Sequence, residues 1–147
     1  GMFALNRLRL EKGYRAWKGD LSTDYTLLQG GLDRFVNWSK PEFTGKAALE
    51  AERQKGVTKR FVTLIIEAGD YDPPYMSTLW HNGEVVGETT SGGWGYRVNA
   101  CVALGMLRAE LTEPGTRLEV EIFGMRYAAT VQPDEPLWDP ANERLRA

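Results

Sequence analysis

The chain has 147 residues, 18 basic and 20 acidic side chains and a formal net charge of −2, with 42% hydrophobic residues. That length suits one domain, or one domain with an appendage, and buries enough surface for a single core. Balanced charge gives no basic excess for nucleic acid and no polybasic cluster for a membrane, so neither partner is expected. No apolar run approaches the roughly 18 residues of a spanning helix, and a cytoplasmic setting is expected.

The first predicted element is a helix from Phe3 to Trp17. At about 100° per residue, Phe3, Leu10, Tyr14 and Trp17 fall on one stripe, while Arg7, Glu11 and Arg15 follow each other at i, i+4 along another. Gly13 costs this helix roughly 1 kcal/mol relative to Ala, and Gly19-Asp20 supplies a stop. Arg9 lies at the margin of the apolar face, where a guanidinium can meet an anion. A cation, an anion and two large aromatics in one short run suit a flat, charged ligand. The same spacing also describes a plain core stripe beside a solvated ion-pair row.

A short apolar stretch at Gly31 to Val36 follows, then a second helix at Gly45 to Gln54 rich in Ala, Glu and Lys. From Arg60 onward the pattern switches to period two. Phe61 to Ile66 reads as a strand apolar on both faces, as a barrel or sandwich wall requires. Asn82-Gly83, between Leu79-Trp80 and Val85-Val86, is a strong hairpin signal, because a type I′ turn needs positive φ at both central residues. Cys101 to Leu107 makes another strand. Leu118, Val120 and Ile122 alternate with Glu119 and Glu121, entered through Glu113-Pro114-Gly115, and Gly124-Met125 turns the chain back into Tyr127 to Val131. The predicted fold is α+β, an N-terminal helical segment followed by a small antiparallel β-barrel.

The lone cysteine, Cys101, cannot form an internal disulfide, and its apolar neighbours read as those of a buried thiol. The lone histidine, His81, flanks the hairpin turn with no second His and no Cys-x-x-Cys, so no metal site is expected. No Gly-x-Ser-x-Gly elbow supports a nucleophilic triad. The first 55 or so residues carry more apolar side chains than two helices and a loop can hide. Either they pack on the barrel or they leave a patch of several hundred Å² for self-association, with exchange of the N-terminal segment as one route.

Taken in order, Arg9-Leu10-Glu11-Lys12, Tyr14-Arg15-Ala16-Trp17, Asp20-Leu21, Gly31-Leu32, Phe43-Thr44-Gly45-Lys46, Val86-Gly87-Glu88-Thr89-Thr90-Ser91-Gly92, Ala103-Leu104-Gly105 and Pro136-Leu137-Trp138-Asp139-Pro140 resemble the aminomethyltransferase family. That family comprises the glycine-cleavage T-proteins and the folate-binding halves of dimethylglycine and sarcosine dehydrogenases. The Lys-x-Tyr-Arg-x-Trp form at Lys12 to Trp17 is closer to the dehydrogenase branch. The resemblance departs at Lys18, where relatives often have Gly, and at Leu27 to Gly30, which replace a Thr-Pro-x-Glu-Ala run.

The resemblance implies a three-part protein with tetrahydrofolate in a central channel. Residues 2–57 would be the end of the folate-binding domain and residues 58–147 the C-terminal barrel. It implies Trp17 as an aromatic wall and Arg9 as a cation for the cofactor, with Tyr14 either on the ligand or in the core. Glu11 is expected to orient Arg7, Arg15 or backbone. Gly92, Gly93, Trp94 and Tyr96 are expected either to close over the channel, with Trp94 on the cofactor, or to form a plain hairpin with bulges. No catalytic residue is assigned, because the acidic residue that assists one-carbon transfer in relatives lies upstream, and the chain alone is expected to be catalytically poor. Folate and a small amine are the ligands implied for the complete protein. The alternative is a non-catalytic barrel that docks onto a separate transferase half or a flavin dehydrogenase subunit.

Overall fold

The alternation that begins near Arg60 builds a closed barrel. In the computed structural model, which describes residues 1–146, the strands are β1 (Lys59–Ile66), β2 (Thr78–His81), β3 (Glu84–Gly95), β4 (Ala100–Arg108), β5 (Arg117–Ile122) and β6 (Met125–Val131). They close in the order β1-β4-β3-β2-β5-β6, every pair antiparallel. Two helices precede them, α1 (Met2–Glu11) and α2 (Lys46–Lys55). The fold is therefore α+β, with a small barrel.

Turn chemistry sets the register. Asn82 and Gly83 take φ of 50° and 81°, and Phe123 and Gly124 take 51° and 79°. Both pairs have the positive values that a two-residue turn between right-twisted strands demands.

Each strand sorts its side chains by parity. Val62, Leu64 and Ile66 of β1 join Cys101 and Ala103 of β4, Leu118, Val120 and Ile122 of β5 and Ala129 and Val131 of β6 in one buried cluster that fills the barrel. The intervening residues Phe61, Val102, Leu104 and Met106 form a second cluster on the outer wall, capped by Leu10 of α1. This is why β1 and β4 are apolar on both faces. The outer wall is a packing surface for the N-terminal segment.

The structure corrects the expected first helix, which stops at Glu11 rather than Trp17. Gly13 adopts φ 65°, its N–H donates to Leu10 O at 3.0 Å and the Tyr14 N–H donates to Arg9 O at 2.9 Å. This pair of bonds is a Schellman closure, and a left-handed glycine is its usual ending. The expected apolar stripe is therefore broken: Leu10 is buried, whereas Phe3, Tyr14 and Trp17 are exposed. Half of the Gly31–Val36 stretch is a single 3-10 turn, Asp33–Phe35. The Gly92–Tyr96 segment takes the form of a bulged hairpin. Gly92, Gly93 and Trp94 lie inside β3, whose register shifts between Thr89 and Ser91, and Tyr96 sits on the turn beyond.

Candidate functional site

Beyond Gly13 the chain runs across the barrel wall as a loop to Asp20, and a buried ion pair fixes it there. Asp20 is fully buried, and Arg9 is 16% exposed. Arg9 Nη1 donates to Asp20 Oδ2 at 2.7 Å and Arg9 Nη2 donates to Ser91 Oγ at 2.8 Å. The Ala16 N–H donates to the same Oδ2 at 2.7 Å. On the other carboxylate oxygen, Thr90 Oγ1 and Ser91 Oγ donate at 2.5 and 2.7 Å. Both oxygens thus carry two donors each, the complement a buried carboxylate needs. The latch ties α1 to the bulged part of β3.

Two neighbours of Arg9 are also spent on the fold. Glu11 is buried, and its Oε1 accepts the backbone N–H of Arg97 at 2.5 Å and of Val98 at 3.3 Å, closing the β3–β4 turn. Of the three partners expected for Glu11, it takes backbone. Lys12, also buried, donates to the carbonyls of Trp138 and Asp139 at 3.2 and 2.7 Å and to Asn142 Oδ1 at 2.8 Å, clasping the C-terminal segment over α1.

The latch leaves two aromatics facing outward. Tyr14 is 54% and Trp17 73% exposed, on a loop pinned at Ala16 by Asp20 and closed by a single bridge between Trp17 and Leu21. The structure brings Arg9 and Tyr14 together, since Arg9 Nη1 also reaches the Tyr14 carbonyl at 3.3 Å. It places Trp94 elsewhere. That indole packs partly against the barrel cluster and lines a separate surface cleft with Phe3, Arg7, Asp70, Asp72 and Tyr96, where Arg7 pairs with Asp72 at 2.5 Å. Lys18, at the position where relatives often have Gly, holds φ 69°.

Sequence reasoning missed the role of Asp20, which it read as a helix stop. Its partner lies eleven positions away, outside any periodic pairing, and Thr90 and Ser91 lie 70 and 71 positions away. Only the joint presence of Asp20 and the Thr90-Ser91-Gly92 run in the family resemblance could have signalled it.

A six-stranded closed barrel with an N-terminal helix latched across its outer wall defines the class of module. Residues 59–139 match the glycine cleavage T-protein C-terminal barrel domain. The chain is 40% identical over 148 residues to the mitochondrial dimethylglycine dehydrogenase of Rattus norvegicus, covering 99% of this chain and 17% of that protein. It is 36% identical over 151 residues to a probable aminomethyltransferase of Pyrococcus horikoshii, covering 95% of this chain and 37% of that one. Its fold superposes on the glycine cleavage system aminomethyltransferase T of Bartonella henselae with a TM-score of 0.88 at 28% identity, covering 95% of this chain and 39% of that chain. The chain belongs to the glycine cleavage T-protein family, and it spans well under half the length of these relatives.

Proposed function

We propose that this chain is the C-terminal portion of a tetrahydrofolate-dependent aminomethyltransferase or demethylating amine dehydrogenase, in which it helps bind folate while a one-carbon unit passes from a small amine. The single observation that carries the reading is the identity with dimethylglycine dehydrogenase, which runs through the helical segment as well as the barrel. Tetrahydrofolate, when bound, supplies the acceptor for the one-carbon unit. The chemistry of the donor set fits it: a flat pterin and an aminobenzoyl ring need aromatic faces, and Trp17 and Tyr14 offer theirs from a loop whose geometry is fixed by buried hydrogen bonds. Arg9 supplies the positive end of the latch beneath that loop. No helix among the described residues is long and apolar enough to cross a membrane.

Calorimetric titration of the chain with tetrahydrofolate tests this. A dissociation constant near micromolar, weakened about tenfold or more by Trp17→Ala, is expected. No heat from the chain at all overturns a folate site built from these residues.

A second reading has its own observation. Met2, Phe3, Leu5 and Leu8 of α1 are all exposed, a concentration of apolar side chains of the kind that a monomer seldom leaves bare. On this reading the module docks onto a transferase half, a flavin dehydrogenase subunit or a second copy. Sedimentation at tens of micromolar separates the last: a clean monomer removes self-association, and Leu5→Glu abolishes any dimer that forms.

A further inference from the structure

We propose that the cleft between the 12–15 loop, the 31–35 turn and β1 is an oxyanion site that takes the carboxylate end of a flat aromatic ligand. The cleft holds about 290 Å³ and is lined by Tyr14, Arg15, Arg34, Phe35, Phe61 and Thr63 among others. That volume is at the lower edge of small-molecule sites, of order 300 to 1,000 Å³, and suits a ring with one charged end rather than a large cofactor.

Arg15 is the reason an anion is required. Its side chain is 9% exposed, yet Nε is buried with no hydrogen-bond partner, and the nearest carboxylate oxygen, Asp134 Oδ1, is 3.9 Å from Nη2, beyond hydrogen-bond reach. Asp134 is itself 82% exposed, so water screens most of its attraction. Buried charges in folded proteins are ordinarily closely paired and hydrogen-bonded, whereas this one has a single long pairing to an exposed carboxylate and a buried Nε with no partner. Burial pulls the Arg15 guanidinium below the ordinary arginine range, opposed by Asp134, and the like charge of Arg34 lowers it further. Lys12, Arg15 and Arg34 thus line one cleft whose lining carboxylates, Asp134 and Glu135, are both exposed.

The local packing holds the guanidinium ready. Its carbon lies 4.0 Å from the Phe61 ring centroid, which fixes the plane of the group. Gly31 makes room for it, because a Cβ there would come within 2.8 Å of Nη2. Across the cleft, Arg34 stacks on Phe35 at 5.0 Å. The arrangement presents donors at one end and the Tyr14 and Phe35 rings along the walls. The acidic lining residues Asp134 and Glu135 set the expected sign of one variant below.

The site is distinct from the Arg9–Asp20 latch but shares Tyr14 with the proposed folate site and so rests in part on that reading; because the probes carry no pterin, hippurate binding and tetrahydrofolate binding are read separately. The chain is titrated with hippurate, an aromatic carboxylate, by calorimetry and by chemical-shift perturbation, with benzamide, acetate and inorganic phosphate as controls. Hippurate is expected to bind in the millimolar range or tighter, at least about tenfold better than any control, and to shift the resonances of residues 13–15, 34–35 and 61–63. Arg34→Gln is expected to weaken it roughly two- to fivefold and Asp134→Asn to tighten it by a similar factor, both at exposed positions that leave the fold intact. Arg15→Ala is expected to abolish it, with Arg15→Lys intermediate. Benzamide binding as well as hippurate, acetate or phosphate binding as well as hippurate, no hippurate binding at roughly 10 mM, or Asp134→Asn without effect would each overturn the proposal.

Discussion

The latch between Arg9 and Asp20 can be tested by removing one partner at a time. Asp20 is fully buried and accepts four hydrogen bonds, one of them from the guanidinium. Arg9→Met keeps the apolar stem and deletes the charge, which leaves a carboxylate in the protein interior with three neutral donors and no cation. Breaking a buried pair in this way costs about 3 to 5 kcal/mol. At about 2 to 4 °C per kcal/mol for a chain of this size, the melting temperature should fall by roughly 6 to 20 °C. Adding Asp20→Asn to Arg9→Met removes the orphaned charge and keeps an acceptor for the Ala16 N–H. The double variant should therefore recover about 2 kcal/mol relative to Arg9→Met alone. Urea unfolding followed by tryptophan fluorescence measures all four corners of the cycle. If Arg9→Met lies within about 1 kcal/mol of the parent, or the two changes simply add, the latch does not hold the loop as argued.

Three further outcomes follow from single sites. Lys18 sits at φ 69°, so Lys18→Gly should stabilise the chain by about 0.5 to 1 kcal/mol in thermal unfolding, and a loss would mean that the side chain contributes more than the strain costs. Leu10→Ala, at the cap of the outer-wall cluster, should cost about 2 to 5 kcal/mol in the same assay; a cost under 1 would show that α1 is not a real part of the core. Burial pushes the Cys101 thiol up to about 11 from 9.0. Above pH 9 the unfolded chain loses a proton that the folded chain keeps, so stability should be full below pH 9 and fall, by at most about 3 kcal/mol, as pH rises towards 11. Tyr25, raised by burial and by its bond to Glu88, acts with the same sign. Cys101→Ala should flatten part of that alkaline slope, and an unchanged slope would remove the thiol as its cause.

The barrel was legible because its signals are local. Asn82-Gly83 and Gly124 mark turns, and Leu118, Val120 and Ile122 mark a face, each within a few residues of sequence. The start of α1 and all of α2 were legible for the same reason. The end of α1 was not, because the periodicity of Tyr14 and Trp17 outweighed a glycine that looked tolerable in mid-helix. Its N–H and that of Tyr14 instead close the helix on Leu10 and Arg9. A cost of about 1 kcal/mol for Gly inside a helix becomes an advantage once φ is positive. The candidate site was half legible: Arg9 and Trp17 stood out by residue type, while Asp20, Thr90 and Ser91 are joined only by the folded chain.

The two-faced character of β1 and β4 bears on where this module can be divided. Composition changes near residue 58, and the barrel strands begin at Lys59, so a boundary there is natural in sequence. The core does not respect it. Phe61, Val102, Leu104 and Met106 point away from the barrel interior and are covered by Leu10, with Tyr25 packed beside them. Phe61 also takes the Arg15 guanidinium on its face, and its N–H donates to the carbonyl of Gln29 at 2.8 Å. Closing a sheet into a barrel satisfies its edges but says nothing about its outer wall. Here that wall is apolar over two adjacent strands, and the N-terminal loop is polar where it must be latched. Barrel and segment therefore share a packed cluster, and the loop carrying Tyr14 and Trp17 is fixed to the barrel through the Asp20 hydrogen bonds.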